Sequence, residues 1–409
     1  MSRIYDVVVV GGGPAGSAAA LFCVRHGLEV CVIEKAQFPR DKICGDAISG
    51  KSMTMLKELE LLDEVTTLPS ARINAITFGN PDHNTVTIPL LGDKRRGIPP
   101  GLVIKRLLFD EFLFNKVRKS AASVYEGYQV NRLIFDGDRV IGVETRGTEH
   151  VNSISVLGKV IIGADGFNSI VARHTGLYEH DPEHWVVALR QYYKNVKGLN
   201  DTIELHYIDE VQPGYLWLFP AGDNVANIGI GMLHKSMKKR NVNLSEAMQK
   251  AINSPFFADR FAEAEPLEKP MGWNLPVASK HRKNYGHGFL LLGDAAGLID
   301  PFTGEGIGNA LFSAKIAAET VAEAVKQNDF TEEFLKRYDQ KLWQALGDEL
   351  QVSAKLQRIG RISPLLNFVI KKAARSNHVR EIISGMMANQ IPKTEFANPL
   401  FYLKLFFSN

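Results

Sequence analysis

Cysteine is scarce. The 409 residues contain only Cys23, Cys31 and Cys44, an odd number with no metal-ligand spacing. That excludes a cysteine-ligated iron–sulfur cluster and a disulfide framework, and a reduced cytoplasmic setting is expected. No apolar run approaches the roughly 18 residues a membrane-spanning helix needs. Strand-like sequence begins at Tyr5, so no leader peptide is expected. Neither sign of charge dominates, with 48 basic against 45 acidic residues. No concentrated basic footprint points to nucleic acid, and no protein partner is indicated. What is present is an ordinary globular composition, 45% apolar and 23% charged, in a chain long enough for two or three domains.

The strongest local signal is YDVVVVGGGPAGSAAALFCVRHGLEVCVIEK, residues 5–35. The β-branched run DVVVV predicts a strand buried on both faces of a parallel sheet. Gly11, Gly13 and Gly16 then give G-x-G-x-x-G. The first glycine allows a tight turn, the second a close approach of a pyrophosphate, and the third close packing of helix on strand. A second strand ends in Glu34, 18 residues after Gly16, where a carboxylate can accept bonds from an adenosine ribose. Strand, glycines, helix, strand and acid in this order predict dinucleotide binding. Cys23 and Cys31 fall on the helix and second strand as small core residues.

The chain then leaves the regular βα pattern of a nicotinamide dehydrogenase. KICGDAISG (42–50) places Cys44 and Asp46 around Gly45. Gly45 and Gly50 are expected to make the turn, with Asp46 and Ser49 capping the next helix or bonding a ligand. An amphipathic helix opens at Arg106, with Phe109, Phe112 and Leu113 at helical spacing. KVIIGADGFNSIVAR (159–173) is a strand running into a glycine turn that holds Asp165. GFLLLGDAAGLIDPFTGEGIGNAL (288–311) is a strand, Gly293-Asp294, a loop, and a helix opening on Gly304, Gly306 and Gly308. Residues 180 to 280 alternate like antiparallel strands. In GYLWLFPAGDN, Tyr215, Trp217 and Phe219 share one face at period two, as core or as the wall of an apolar cavity.

The three separated glycine motifs resemble, in order and over the N-terminal 330 residues, the FAD-dependent oxidoreductases of the aromatic-hydroxylase type. KICGDAIS, YLWLFP and GDAAGLIDPFTGEGI narrow that resemblance to the geranylgeranyl reductase family. The resemblance implies an α/β fold: a Rossmann-like FAD-binding domain with an inserted, mostly antiparallel β-sheet substrate domain and a C-terminal helical region. The expected division is 1–70, 101–178 and 283–330 for FAD, 71–100 and 179–282 for substrate, and 331–409 for the helical tail. The implied FAD site is Gly11, Gly13, Pro14, Ala15, Gly16, Glu34, Lys35, Cys44, Gly45, Asp46, Arg106, Asp165, Gly293, Asp294, Gly304, Gly306 and Ile307. In it Asp294 would meet a ribityl hydroxyl, Arg106 the pyrophosphate or ribityl chain, and the helix start at 304–308 the pyrimidine side of the flavin.

The implied activity is saturation of isoprenoid C=C bonds by hydride from reduced flavin. No second G-x-G-x-x-G unit occurs, so NAD(P)H or a small electron carrier would reduce the flavin transiently. Cys44, Tyr215 and Trp217 are the candidate catalytic residues, with Cys44, Tyr215 or an ordered water as proton donor; Cys44 also reads as an inert small side chain. No metal site is expected. The substrate would be an apolar lipid. The basic, apolar tail, ending FANPLFYLKLFFSN, could touch a membrane periphery or pack on the body. Two other classes fit the flavin motifs: an FAD monooxygenase or halogenase acting on an aromatic or carrier-bound substrate, and an electron-transfer flavoprotein.

Overall fold

The computed structural model describes residues 3–147, 152–359 and 363–387. The segment FANPLFYLKLFFSN lies outside the described residues.

The first sheet has a parallel core. Its strands run Phe289–Leu291, Ser155–Gly163, Ile4–Val10, Val30–Glu34, Ser123–Glu126 in spatial order. Val7, Val8 and Val9 are wholly buried, as a strand covered on both faces requires. Helix Pro14–Arg25 packs on it through Ala18, Ala19 and Ala20, all at 0% exposure. These small side chains also admit the long helix Ile307–Gln327 against the first helix. The hairpin Tyr128–Asp136 and Arg139–Gly147 extends strand Ser155–Gly163 antiparallel. Cys23 and Cys31 are buried here, and burial pushes both thiols up to about 12. They are inert core residues, as the sequence reading expects.

A second sheet is built mainly from antiparallel strands: Trp185–Lys194, Val225–Leu233, Tyr215–Pro220 and Thr202–His206 in spatial order. It then recruits an early hairpin. Strand Ala75–Gly79 pairs with Thr202–His206 in parallel, and Thr85–Pro89 closes the edge. Period-two alternation sorts Tyr215–Pro220 cleanly. Leu216 and Leu218 face one core with Ile228, Ile230 and Met248. Trp217 and Phe219 face another, shared with Leu205, Tyr207, Ile370, Ala373 and Val379. The last three come from helices Ser363–Arg375 and Asn377–Met387, so that part of the basic tail packs on the body.

Helix Glu332–Ile359 crosses Ile307–Gln327. No helix among the described residues is long and apolar enough to cross a membrane.

Candidate active site

Between the two sheets lies one cavity of about 1290 Å³. Pockets for drug-sized ligands hold roughly 300–1,000 Å³, so this one has room for more than one small molecule. Every predicted cofactor residue lines it except Gly16 and Gly293. Those two serve packing instead. A Cβ on Gly16 would stand 1.8 Å from the Gly11 carbonyl oxygen, and one on Gly293 would stand 3.0 Å from Ala310 Cβ.

The cradle end is built by the first strand–helix turn. Gly11 has φ +103, a backbone that L side chains rarely adopt. It lies against Ala164, so the turn at Asp165 closes over the first motif. The Glu34 carboxylate is held by two backbone N–H groups, Gly12 to Oε2 at 2.6 Å and Ala36 to Oε1 at 2.8 Å. Gly13 is open: an added Cβ would meet only Arg40 Nη2, at 3.6 Å. Burial raises the Asp165 carboxyl above the usual carboxylate range against the hydrogen bonds of Ser169 and the Ile170 N–H. Its Oδ2 accepts from Ile170 at 2.7 Å, while the buried Oδ1 has no partner among the described residues. A partnerless acceptor beside an open glycine cradle fits the hydroxyls and pyrophosphate of a dinucleotide. The residues present therefore fit FAD.

Arg106 is not a surface arginine. It is 2% exposed and grips Asp110 with two bonds, Nε to Oδ1 at 2.6 Å and Nη2 to Oδ2 at 2.7 Å. Burial works against its charge, but Asp110, and after it Cys44, outweigh burial and hold Arg106 firmly charged. Burial alone would raise Asp110; Arg106, then Arg40 and Lys42, hold its carboxyl below the usual range. Arg40 reaches the same carboxylate at 2.5 Å. Two guanidinium groups sharing one carboxylate leave a net charge of +1 at the cradle, matched to a phosphate group. Asp294 is 2.9 Å from Lys42 Nζ, so it too reaches the cavity as half of an ion pair.

The third motif forms a closed loop. Asp300 Oδ1 accepts from the Phe302 and Thr303 N–H groups at 2.9 and 2.8 Å. Ser353, from helix Glu332–Ile359, bonds the other oxygen at 2.6 Å, and Gln357 bonds the Pro301 carbonyl at 2.8 Å. The C-terminal region thus buttresses the loop that carries Gly304 and Gly306. Helix Ile307–Gln327 opens from this loop toward the cavity.

KICGDAISG turns differently from the sequence expectation. Neither Gly45 nor Gly50 takes a left-handed backbone; Asp46 does, with φ +66. Aspartate tolerates that region better than most residues. Asp46 does not cap a helix either. Ser49 does so alone, for a helix that begins at Gly50. The Asp46 side chain is 0% exposed and turns into the second sheet. Its Oδ2 accepts from the Tyr192 hydroxyl and from Asn227 Nδ2, the latter at 2.8 Å. Asn227 Nδ2 also bonds the Cys44 carbonyl at 2.8 Å, and Asn227 Oδ1 accepts from Trp217 Nε1 at 2.9 Å. One asparagine therefore ties the Cys44–Asp46 loop to the aromatic strand. Cys44 is half-buried, with its side chain against Arg106. Tyr215 donates its proton to the Thr303 carbonyl at 2.7 Å, and burial, then Asp300, raise its hydroxyl above the ordinary range.

Trp217 owes its place to a glycine that sequence reading passed over. Gly229 is its cross-strand partner. A Cβ there would come 1.9 Å from Trp217 Cζ2. Gly229→Ala is expected to push the indole off Asn227 and cost on the order of 2–3 kcal/mol. Denaturant unfolding and tryptophan fluorescence would register it, with flavin still bound. An unshifted unfolding curve and an unchanged emission spectrum would refute the packing account. Arg40, Lys42, Asp110, Tyr192 and Asn227 also escaped the sequence reading. Each has a partner 70 or more residues away, although Asp110 also pairs with Arg106 one helical turn before it and Asn227 with Trp217 across the hairpin.

Comparison with known proteins agrees with this geometry. A family model described as FAD binding domain matches residues 4–345. A digeranylgeranylglycerophospholipid reductase of Methanocella arvoryzae is 31% identical over 364 residues, 88% of each chain. One from Methanocaldococcus jannaschii is 34% identical over 347 residues, 83% of each chain. A geranylgeranyl bacteriochlorophyll reductase-like structure from Thermoplasma acidophilum superposes with a TM-score of 0.83 at 24% identity, covering 97% of this chain and 100% of its own. That structure shares the fold. The chain belongs to the FAD binding domain family and, within it, to the geranylgeranyl reductase family.

Proposed function

We propose that this protein saturates C=C bonds in the isoprenoid chains of a geranylgeranyl-type lipid. FAD, when held by the glycine cradle and the Gly304–Ile307 loop, would supply hydride chemistry there, with NAD(P)H or a small electron carrier as the expected reductant. The observation that carries this reading is the cavity between the sheets. It runs without a break from the glycine cradle to the apolar face formed by Trp217, Phe219, Leu205 and Ile76. We assign 1–70, 101–178 and 283–330 to the cofactor body and 71–100 with 179–282 to the substrate sheet. The pairing of strand Ala75–Gly79 with Thr202–His206 supports that division.

The chain's own residues bind, orient and exclude water. Gly11, Gly13, Pro14, Ala15, Glu34 and Lys35 receive the adenosine and pyrophosphate end. Arg106 and Arg40 share Asp110 and offer it one net positive charge. Asp294, Gly304, Gly306 and Ile307 receive the ribityl and ring end, where the N-terminus of helix Ile307–Gln327 favours negative charge. An isolated alkene offers no charge to grip, so the rate must come from placement and from a dry chamber. Trp217, fixed by Asn227, and Phe219 form that chamber's wall. Cys44, fixed through its carbonyl and beside Arg106, stands where the loop meets it.

The test is anaerobic. With the flavin reduced beforehand, adding a digeranylgeranyl lipid should reoxidise it and add two hydrogens per bond to the lipid. Silence until oxygen is admitted, followed by a gain of one oxygen, would replace this reading with a monooxygenase.

A further inference from the structure

The cavity has a basic rim. Away from the cradle its wall is the loop 90–101, where Leu90, Leu91, Ile98, Pro99 and Pro100 supply apolar lining and Arg96 joins them. At the tip of this loop is a closed turn. The Ile98 N–H donates to the Asp93 carbonyl at 2.9 Å, and the Arg96 N–H donates to Asp93 Oδ1 at 3.1 Å. Gly97 takes the left-handed backbone that closes it, with φ +64. Gly92 is packed so tightly that a Cβ would stand 2.4 Å from the Ile98 carbonyl oxygen. Lys57, on helix Gly50–Glu58, bonds the Arg96 carbonyl and ties the turn to the body.

The turn presents Lys94, Arg95 and Arg96 outward, all exposed. Asp93 spends its carboxylate oxygen on the turn's own backbone. The flanking ion pairs, Lys51 with Glu349 and Lys371 with Asp82, do not include the three cations. Among the described residues none of the three has a carboxylate partner. Arg96 lines the apolar chamber, and Lys94, Arg95 and Lys57 stand beside it on the same turn and the helix behind it. A ligand complementary to such a site has long apolar chains and an anionic head. Arginine favours phosphate in particular, because its planar fork offers two parallel donors.

We propose that the turn Asp93–Gly97, with Lys57 behind it, binds the phosphate-bearing head group of the lipid whose isoprenoid chains enter the cavity. This rests on the isoprenoid-reductase reading, and names which part of the substrate is recognised at the rim. The head group is held at the edge while the chains lie along Leu90, Ile98, Ile76 and Phe78 toward Trp217. No bond is made or broken at the turn; it sets KM and register.

The experiment uses the full FAD-loaded chain in neutral detergent micelles and two lipids, a digeranylgeranylglycerophospholipid and the same diether without phosphate. The variant is Lys94→Gln/Arg95→Gln/Arg96→Gln. Each charge-assisted bond to phosphate is worth about a factor of ten. With one or two such bonds made to the phosphate, KM for the phospholipid is expected to rise by roughly 10- to 100-fold relative to KM for the neutral diether. Quenching of tryptophan emission, read at Trp217 and Trp273 in the cavity wall, should report the same loss as a binding constant. An equal rise for both lipids, or none for either, overturns the proposal. So does loss of sedimentation with phosphatidylglycerol vesicles at an unchanged micellar KM, which would make the turn a membrane contact. Inorganic phosphate that binds tightly at the turn but leaves the phospholipid KM unchanged would make it a free-anion site and overturn it too. If the wild type binds both lipids with phosphate-dependent affinity but reduces neither, the reductase reading falls and the head-group site stands.

Discussion

Gly16→Ala should give a colourless, destabilised protein, while Gly13→Ala should give a colourless but stable one. The two glycines lie three residues apart in one motif, and their surroundings differ. An added Cβ at Gly16 meets the Gly11 carbonyl at 1.8 Å and the Gly11 carbonyl carbon at 2.9 Å. Both are backbone, in a turn whose φ of +103 leaves no room to adjust. Relief requires helix Pro14–Arg25 to lift off strand Ile4–Val10, which unpacks the wholly buried Ala18–Ala20 stripe. Overpacking against backbone in a dense core costs on the order of 3 kcal/mol or more. At Gly13 an added Cβ finds only the mobile end of Arg40, 3.6 Å away. Its backbone, φ −70 and ψ −173, is one that alanine adopts freely. The stability change there should stay below about 1 kcal/mol. On the proposed placement of FAD, a methyl at Gly13 would occupy the space over which the pyrophosphate passes. Thermal unfolding of both apoproteins, with visible absorbance as purified, separates the outcomes. A yellow Gly13→Ala protein would move the cofactor's path away from this turn.

That contrast shows which parts of the molecule can be read from sequence. Gly11, Gly13 and Gly16 are legible because they serve a local turn whose requirements are set within a few residues. The strand Tyr215–Pro220 is legible for the same reason, since alternation reports faces directly. Asp294 and the Gly304–Gly306 loop follow the same logic. Asp46 was legible as a polar residue in a glycine turn, but its direction was not. Sequence pattern assigns the left-handed residue to a glycine by default, and Gly45 was available. Gly45 is instead needed for close approach, since Phe219 Cε2 would lie 3.1 Å from its Cβ. Asp46 can then adopt φ +66 because Tyr192 and Asn227 capture its carboxylate. Those partners are 146 and 181 residues away. Likewise Arg106 reads as a helix-start arginine with Asp110 one turn along, and what sequence leaves out is Arg40, 70 residues from the carboxylate the two share. Local periodicity determines backbone and faces; pairing across the chain depends on which elements the topology brings together.

Asp46→Asn is expected to alter how stability depends on pH. Burial pushes the Asp46 carboxyl up to about 6, against hydrogen bonds from Tyr192 and Asn227 and the charges of Arg190 and Arg106 that favour its ionised form. Both bonds go to Oδ2, and Oδ1 has no partner among the described residues. The proton of the neutral acid therefore belongs on Oδ1. In the unfolded chain the same group releases its proton near its ordinary value of 3.8. Between these two values the native state binds more protons than the unfolded one, so stability falls as pH rises through the window and levels off above about 6. A shift of about two units corresponds to roughly 3 kcal/mol, at full effect above the window and absent below it. Asparagine cannot titrate, yet it keeps an oxygen for Tyr192. The difference in stability between variant and wild type should thus move in the variant's favour by about 3 kcal/mol from acid to neutral pH. Whatever fixed cost the lost carboxylate adds is the same at every pH and cancels from that difference. Urea unfolding at a series of pH values measures it, because every other titrating group is common to the two proteins. Parallel curves would mean that the Asp46 carboxyl titrates alike in the native and unfolded chains, its burial offset by its partners. The hydrogen bonds of Tyr192 and Asn227, with the charge of the buried Arg190 that stacks 4.2 Å over the Tyr192 ring, would then balance its burial.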